Sequence, residues 1–154
     1  MVVDAFREMP DEKLILFGEP VKEYEEFLKY RLPKNVRWET GGDAGLIKRY
    51  AECRGVITMG VDEDFGIVPL EAMASGKYVI APREGGYTET LPDYLFGKLI
   101  NPRKEDLIRV IKHEESYLLC DRGWSNVHAR LTFDYSIFRE RWKNHANLIV
   151  SERV

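Results

Sequence analysis

Short apolar runs and longer amphipathic stretches alternate along the first two thirds of the chain. Leu14-Ile15-Leu16-Phe17 stops at Gly18, and Val36-Arg37-Trp38 stops before Gly41-Gly42. Gly55-Val56-Ile57-Thr58-Met59 stops at Gly60, and Tyr78-Val79-Ile80-Ala81 stops at Pro82. Lys98-Leu99-Ile100 is a weaker fifth run. Apolar runs this short, with little polar alternation, are those of strands covered on both faces, as in parallel sheets.

Between the runs the period lengthens to that of a helix. Within Val21 to Arg31, Tyr24, Phe27 and Leu28 fall at i, i+3 and i+4. Asp43 is placed to cap a helix on which Leu46, Ile47, Tyr50 and Ala51 make one stripe. Asn101-Pro102 reads as an N-cap followed by proline at the first helical position, ahead of inward-facing Leu107, Ile108 and Ile111. Strand and helix in alternation predict βαβ units, hence an α/β doubly wound parallel sheet with helices on both faces. From Lys104 onward only helical patterns occur, with breaks near Asp121-Arg122-Gly123 and Thr132-Phe133-Asp134. Phe138, Trp142, Ala146 and Ile149 share a face of the last stretch. The expectation is one domain with a helical C-terminal cap.

Composition narrows the class further. A hydrophobic fraction of 44% in 154 residues supports a real core and excludes a disordered tail. Lys and Arg total 23 against 26 Asp and Glu, so nothing in the charge points to nucleic acid. The start MVVDAFREMP lacks the basic and apolar regions of a signal peptide, and no apolar run is long enough to span a bilayer. Two cysteines, Cys53 and Cys120, are too few for a disulfide framework. The chain reads as a reduced, soluble, cytoplasmic domain. His113, His128 and His145 have no metal-ligand spacing, so no metal is expected. A G-x-S-x-G elbow, a Walker A loop and a G-x-G-x-x-G turn are all absent, which removes the usual esterase, P-loop and dinucleotide readings of this fold class.

Residues 58–91, TMGVDEDFGIVPLEAMASGKYVIAPREGGYTETL, hold the informative pattern. A strand ends near Met59, a loop runs from Gly60 to Phe65, and a helix follows that closes at Gly76. Glu63 falls in the loop and Glu71 in the first turns of the helix. Gly66 between them permits close backbone approach of a ligand, and Pro69 fits an early helical position. The first helical amides after Gly66 are expected to point unpaired N–H groups at a pocket mouth. The loop after Met59 and the loop Arg83-Glu84-Gly85-Gly86 both lie at carboxyl ends of strands, where a doubly wound sheet binds its ligand. Amides suited to phosphate and carboxylates suited to hydroxyls thus converge, which is the composition of a nucleotide-sugar. Plain structural roles stand beside this one: Gly66 and Gly76 as turn and cap, Gly85-Gly86 as a turn, and the two glutamates as solvated charges.

The segment E-D-F-G-I-V-P-L-E, with Glu63 and Glu71 bracketing seven residues, resembles the E-x7-E motif of retaining glycosyltransferases of the GT-B fold, family 4. A-M-A-S-G and then Gly85, Gly86 and Glu89 in G-G-x-x-E continue the likeness, which reaches outward from Phe17-Gly18-Glu19 to Phe133 and Trp142. The resemblance implies a C-terminal, Rossmann-like donor-binding domain that takes a nucleoside-diphosphate sugar, GDP-mannose slightly favoured, without metal or other cofactor. It implies that Glu71 holds the ribose hydroxyls and that Glu63 acts catalytically beside the donor sugar. Asp64, Phe65, Gly66 and Ile67 would lie against sugar and diphosphate, and Gly18 near the phosphates. The acceptor, a glycan or lipid-linked sugar, would be held by an N-terminal domain outside residues 1–154, and the full protein would associate peripherally with membranes. Met59-Gly60 and Lys77-Tyr78 depart from the family pattern of Pro-Ser and small residue-Pro. The Arg and Lys that clamp the diphosphate in the family follow a strand that would precede Met1, so the chain reads as a fragment lacking that first strand. A non-catalytic nucleotide- or protein-binding module, and a GT-B epimerase or phosphorylase, are the alternative readings.

Overall fold

A computed structural model describes residues 1–93, 95–113 and 122–151. The order is α1 (Val2–Arg7), β1 (Leu14–Phe17), a 3-10 turn (Lys22–Tyr24) running into α2 (Glu25–Tyr30), β2 (Val36–Glu39) and α3 (Gly42–Glu52). Then follow β3 (Gly55–Ile57), α4 (Ile67–Ala74), β4 (Tyr78–Pro82), α5 (Tyr87–Thr90), β5 (Gly97–Ile100), α6 (Lys104–His113), α7 (Arg122–Phe133) and α8 (Tyr135–Ser151). Each of the five apolar runs forms a strand, and every strand pairing is parallel. The expected α/β architecture with helices on both faces is the one observed.

The strands form two pieces, β1-β2 and β3-β4-β5, with no ladder joining β1 to β3 among the described residues. Both pieces feed one apolar layer, and β3-β4-β5 feeds a second on the opposite face. On one face Leu14, Leu16, Val36, Ile57, Tyr78, Ile80 and Ile100 meet Phe6 of α1 and Leu107 and Val110 of α6. On the other, Val56, Val79, Ala81 and Leu99 meet Tyr50 of α3, Ala72 and Met73 of α4, and Tyr87 of α5. The alternation of faces along β4 explains why all five of its residues are buried. At the foot of the sheet, the Asn35 amide reaches the carbonyls of Phe6, Met9 and Glu12 at 2.8–2.9 Å. One side chain thereby satisfies the end of α1 and the turn into β1.

Several local expectations are corrected. Asp43 lies inside α3, whose N-cap is Gly41, and makes no cap bond. Phe17 explains the shift: its ring lies against Gly41 and Gly45, where a Cβ would stand 3.7 and 3.1 Å away, so α3 starts where glycine lets it pack on β1. The stripe on α3 is narrower than expected, since Tyr50 is buried while Ile47 and Ala51 are exposed. Asn101-Pro102 precede α6 by a turn and do not cap it, whereas Leu107 is fully buried and Ile108 and Ile111 pack alongside. Tyr24 is exposed, and so are Phe138 and Trp142 on α8. The side chains of Leu28, Ala146 and Ile149, and Asp121 and Cys120 as a whole, lie outside the described residues.

Candidate functional site

The loop between β3 and α4 is shaped by what it packs on. Asp62 adopts a positive φ of 57° and Gly66 one of 81°, and α4 starts at the next residue. The Gly86 N–H donates to the Glu63 carbonyl at 2.8 Å. A Cβ on Gly85 would lie 2.5 Å from that carbonyl oxygen, and one on Gly86 would lie 2.5 Å from the Cα of Phe65. Gly85-Gly86 therefore brings two strand-end loops together, backbone against backbone. Gly66 is packed in the same sense. It is buried, and a Cβ there would meet Thr90 Oγ1 at 3.0 Å and the Tyr87 ring at 3.1 Å, so its bareness serves the protein's own packing.

Tyr87 is the post behind this loop. It is 1% exposed, and its hydroxyl lies 3.0 Å from Thr58 Oγ1 at the end of β3. Gly60 leaves room for that hydroxyl, since a Cβ would stand 2.9 Å from it. A buried tyrosine hydroxyl needs a partner, and Thr58 supplies it while fixing the direction in which the chain leaves the strand.

The two glutamates are held differently. Glu63 Oε1 accepts the Gly66 N–H at 2.9 Å, so this carboxylate already covers the first amide at the head of α4. The expected row of unpaired N–H groups is shortened accordingly, and Pro69 has none to offer. Glu71 is exposed, and its Oε2 accepts the Tyr50 hydroxyl at 2.9 Å from α3. Burial, followed by the Glu71 hydrogen bond and charge, pushes the Tyr50 hydroxyl well above its ordinary range, so it stays a donor. Neither tyrosine was singled out as a site residue from the sequence. Tyr50 sat in an apolar stripe and Tyr87 in a glycine turn, and only the phenol's need for a partner marked them.

Gly18 closes β1 with φ 138°, a conformation reserved for glycine, and a Cβ there would meet nothing within 4 Å. Its carbonyl accepts the Trp38 indole N–H at 2.9 Å. Gly18, Thr58, Met59, Val68 and Glu71 line one end of a cleft of about 1530 Å³ that continues between β1 and β3 down to Glu12 and Arg54. Glu63 and residues 64–67 do not line that cleft. Asp64 and Ile67 are exposed, and Phe65 is half-exposed with its ring edge-on to Phe133 at 6.2 Å. Gly18 and Glu71 thus line the same cleft, while Glu63 to Ile67 form a neighbouring ridge stapled to Gly85-Gly86.

The two departures from the family pattern are structural in their consequences. Lys77 is 5% exposed and its ammonium donates to the Ala51 carbonyl at 3.1 Å, which ties α3 to the start of β4. Tyr78 belongs to the core. Among the described residues no cluster of three His, Cys, Asp or Glu side chains is arranged to hold a metal, and His128 stacks on Phe96. No described helix is long and apolar enough to cross a membrane.

Parallel strands flanked by helices, with two strand-end loops packed together beside the cleft, define the Rossmann-like half of a GT-B fold. Residues 1–118 match the family of glycosyl transferases group 1, and the chain belongs to it. It is 52% identical over 44 residues to the alpha-1,3/1,6-mannosyltransferase ALG2 of Dictyostelium discoideum, covering 29% of this chain and 10% of that one. It is 28% identical over 142 residues to a sucrose synthase of Melioribacter roseus, covering 83% of this chain and 17% of that protein. Anabaena HepE, solved in complex with UDP and glucose, superposes with a TM-score of 0.76 at 24% identity over 94% of this chain and 43% of its own. The chain spans between a tenth and about a quarter of the length of the curated relatives it matches.

Proposed function

We propose that the chain is the donor-binding half of a retaining glycosyltransferase of family 4 that uses a nucleoside-diphosphate sugar and no metal. The observation that carries this is Glu71, presented by α4 at the cleft mouth beside Gly18, with its second oxygen occupied by Tyr50 and its first open to a ligand. A carboxylate so oriented accepts the paired hydroxyls of a ribose. Glu63, with one oxygen on Gly66 and the other unclaimed, acts on the donor sugar from the adjoining ridge, where Asp64, Phe65, Gly66 and Ile67 complete the wall. The leaving diphosphate is stabilised electrostatically, by amides at strand ends and by the clamping Arg and Lys that the family carries after a strand preceding α1.

GDP-mannose is the donor we favour, a choice supported by the likeness to a mannosyltransferase. The acceptor is a glycan or lipid-linked sugar held on an N-terminal domain, in the cytoplasm at a membrane surface. On this reading, residues 1–154 alone bind nucleotide weakly and transfer nothing. Calorimetric titration of the folded chain with GDP-, UDP- and ADP-sugars checks the reading. Heat with one donor class is the expected result, and no heat with any of them refutes donor binding.

A further inference from the structure

Glu71 is the side chain on which the ribose assignment rests, and by itself it is a poor anchor. It is exposed on α4 and has several rotatable bonds, so an unrestrained carboxylate there would sweep over many directions. The backbone beneath it is already fixed. Pro69, Ala72 and Met73 of α4 are buried, and α7 grips the end of the helix. Ser125 Oγ donates to the Met73 carbonyl at 3.1 Å, and the Asn126 amide donates to that of Ala74. What is left to hold is the side chain alone.

The tie comes from a different helix. The Tyr50 hydroxyl donates to Glu71 Oε2 at 2.9 Å, and its ring is seated in the apolar layer with Ala72, Met73 and Val79. A packed phenol has little rotational freedom to lose, so the donor is the rigid member of the pair. The helix that carries it, α3, is fixed at both ends. Gly41 and Gly45 lie on Phe17, and the Ala51 carbonyl receives the Lys77 ammonium at 3.1 Å. The Cys53 thiol closes the same last turn on the Tyr50 carbonyl at 3.6 Å. Burial, and then the Glu71 hydrogen bond and charge, keep the proton on the phenol, so the direction of donation does not change near neutral pH. Tyr50 and Glu71 both line the cleft, and Glu71 Oε1 has no partner among the described residues.

We propose that Tyr50 is a positioning residue that makes the cleft selective for ribose over deoxyribose. It holds Glu71 in one orientation before a ligand arrives and leaves one oxygen aimed at the ribose hydroxyls. The inference rests on the donor-binding reading of Glu71 and adds the residue on which its selectivity depends. Immobilising a long side chain at the moment of binding weakens affinity by a factor of about 2 to 10, and Tyr50 removes that cost by ordering Glu71 during folding. The phenol draws some charge from the carboxylate, yet a hydroxyl bond to the free oxygen is still charge-assisted, so the gain in order outweighs the loss.

Calorimetry with GDP, UDP and ADP finds the nucleotide that binds, and its 2′,3′-dideoxy analogue is then titrated into the same proteins. The parent chain should favour the ribonucleotide by at least about tenfold, the effect of a charged hydrogen bond. Tyr50→Phe, shown to be folded by circular dichroism, should cut that preference by about 2- to 10-fold and leave the affinity for the dideoxy analogue unchanged. In a Glu71→Ala background the same substitution should change neither affinity. A phenol that only supports the core would weaken both nucleotides alike, and that result overturns the proposal. So does an undiminished ribose preference in Tyr50→Phe, or an effect that persists without Glu71. A second measurement needs no ligand. Three-bond couplings of the Glu71 side chain in the free protein should report one χ1 rotamer in the parent and averaging in Tyr50→Phe; averaging in both overturns the proposal. A folded parent with a single Glu71 rotamer that binds none of the three nucleotides refutes the donor reading itself, and the ribose selectivity falls with it.

Discussion

Replacing Gly86 by alanine isolates the contact that builds the site. Gly86 has φ −60°, a backbone any residue adopts, so the substitution carries no conformational penalty and its effect is steric. The new Cβ would stand 2.5 Å from Phe65 Cα and 2.6 Å from the Asp64 carbonyl carbon, and against the Asp64 oxygen as well. Non-bonded carbons rest at about 3.5–4.0 Å, so the two loops must part by about an ångström. Both partners are backbone and cannot rotate away. Overpacking of this kind costs about 1–3 kcal/mol, and the Gly86 N–H bond to Glu63 lengthens with it, which places the loss at the upper end. A domain of this size loses about 2–4 °C in Tm per kcal/mol, so the variant should melt roughly 5–12 °C below the parent. Urea unfolding followed by circular dichroism measures the loss directly, and calorimetry with the responding nucleotide-sugar measures binding. On the proposed donor reading, the displaced segment is the sugar-facing ridge from Glu63 to Phe65, so sugar-dependent affinity should fall while affinity for the bare nucleotide, assigned to Glu71, falls less. Stability within about 0.5 kcal/mol of the parent would refute the packing argument.

Other expectations are as direct. Glu71→Ala should weaken nucleotide binding by about 1–3 kcal/mol, the range for a lost charged hydrogen bond, and unchanged affinity in the titration would reject the ribose assignment. Tyr50→Phe should lower stability by about 1 kcal/mol at neutral pH. The raised hydroxyl value makes that difference fully present below pH 10, and it fades as pH climbs toward the folded-state value. Urea midpoints of both proteins between pH 7 and about 11 should converge, and a gap that widens with pH would contradict the sign. Asn35→Ala removes the side-chain donor that the Phe6, Met9 and Glu12 carbonyls share at the α1–β1 turn and should cost about 1–3 kcal/mol, read from the same unfolding curves.

The sequence carried the strands well because burial on both faces leaves uninterrupted apolar runs, as along Tyr78 to Ala81. The helix starts were less legible. Asp43 and Asn101 have the right chemistry for caps, yet Phe17 packing on Gly41 and Gly45 sets one start, and the turn after β5 sets the other. Amphipathic counting also over-read surfaces, since Ile47, Phe138 and Trp142 are exposed. Around the site, the spacing of Glu63 and Glu71 was visible, but the reason for the glycines was not. Gly66, Gly85 and Gly86 are bare because of Tyr87, Glu63 and Phe65, which are contacts between segments that no single-segment pattern encodes. The division of the sheet likewise has no local signature, because β1 and β3 each read as complete strands.

The Glu63 carboxylate on the Gly66 amide has an electrostatic consequence for what the ridge selects. A helix start carries a partial positive charge that ordinarily attracts phosphate. Here a full negative charge already sits on it, 2.9 Å from the leading amide. A second anion arriving at that point would meet repulsion, whereas a neutral hydroxyl can donate to the carboxylate and gain from it. The head of α4 therefore favours the uncharged end of a ligand, and any phosphate on the proposed donor would find its counter-charge elsewhere.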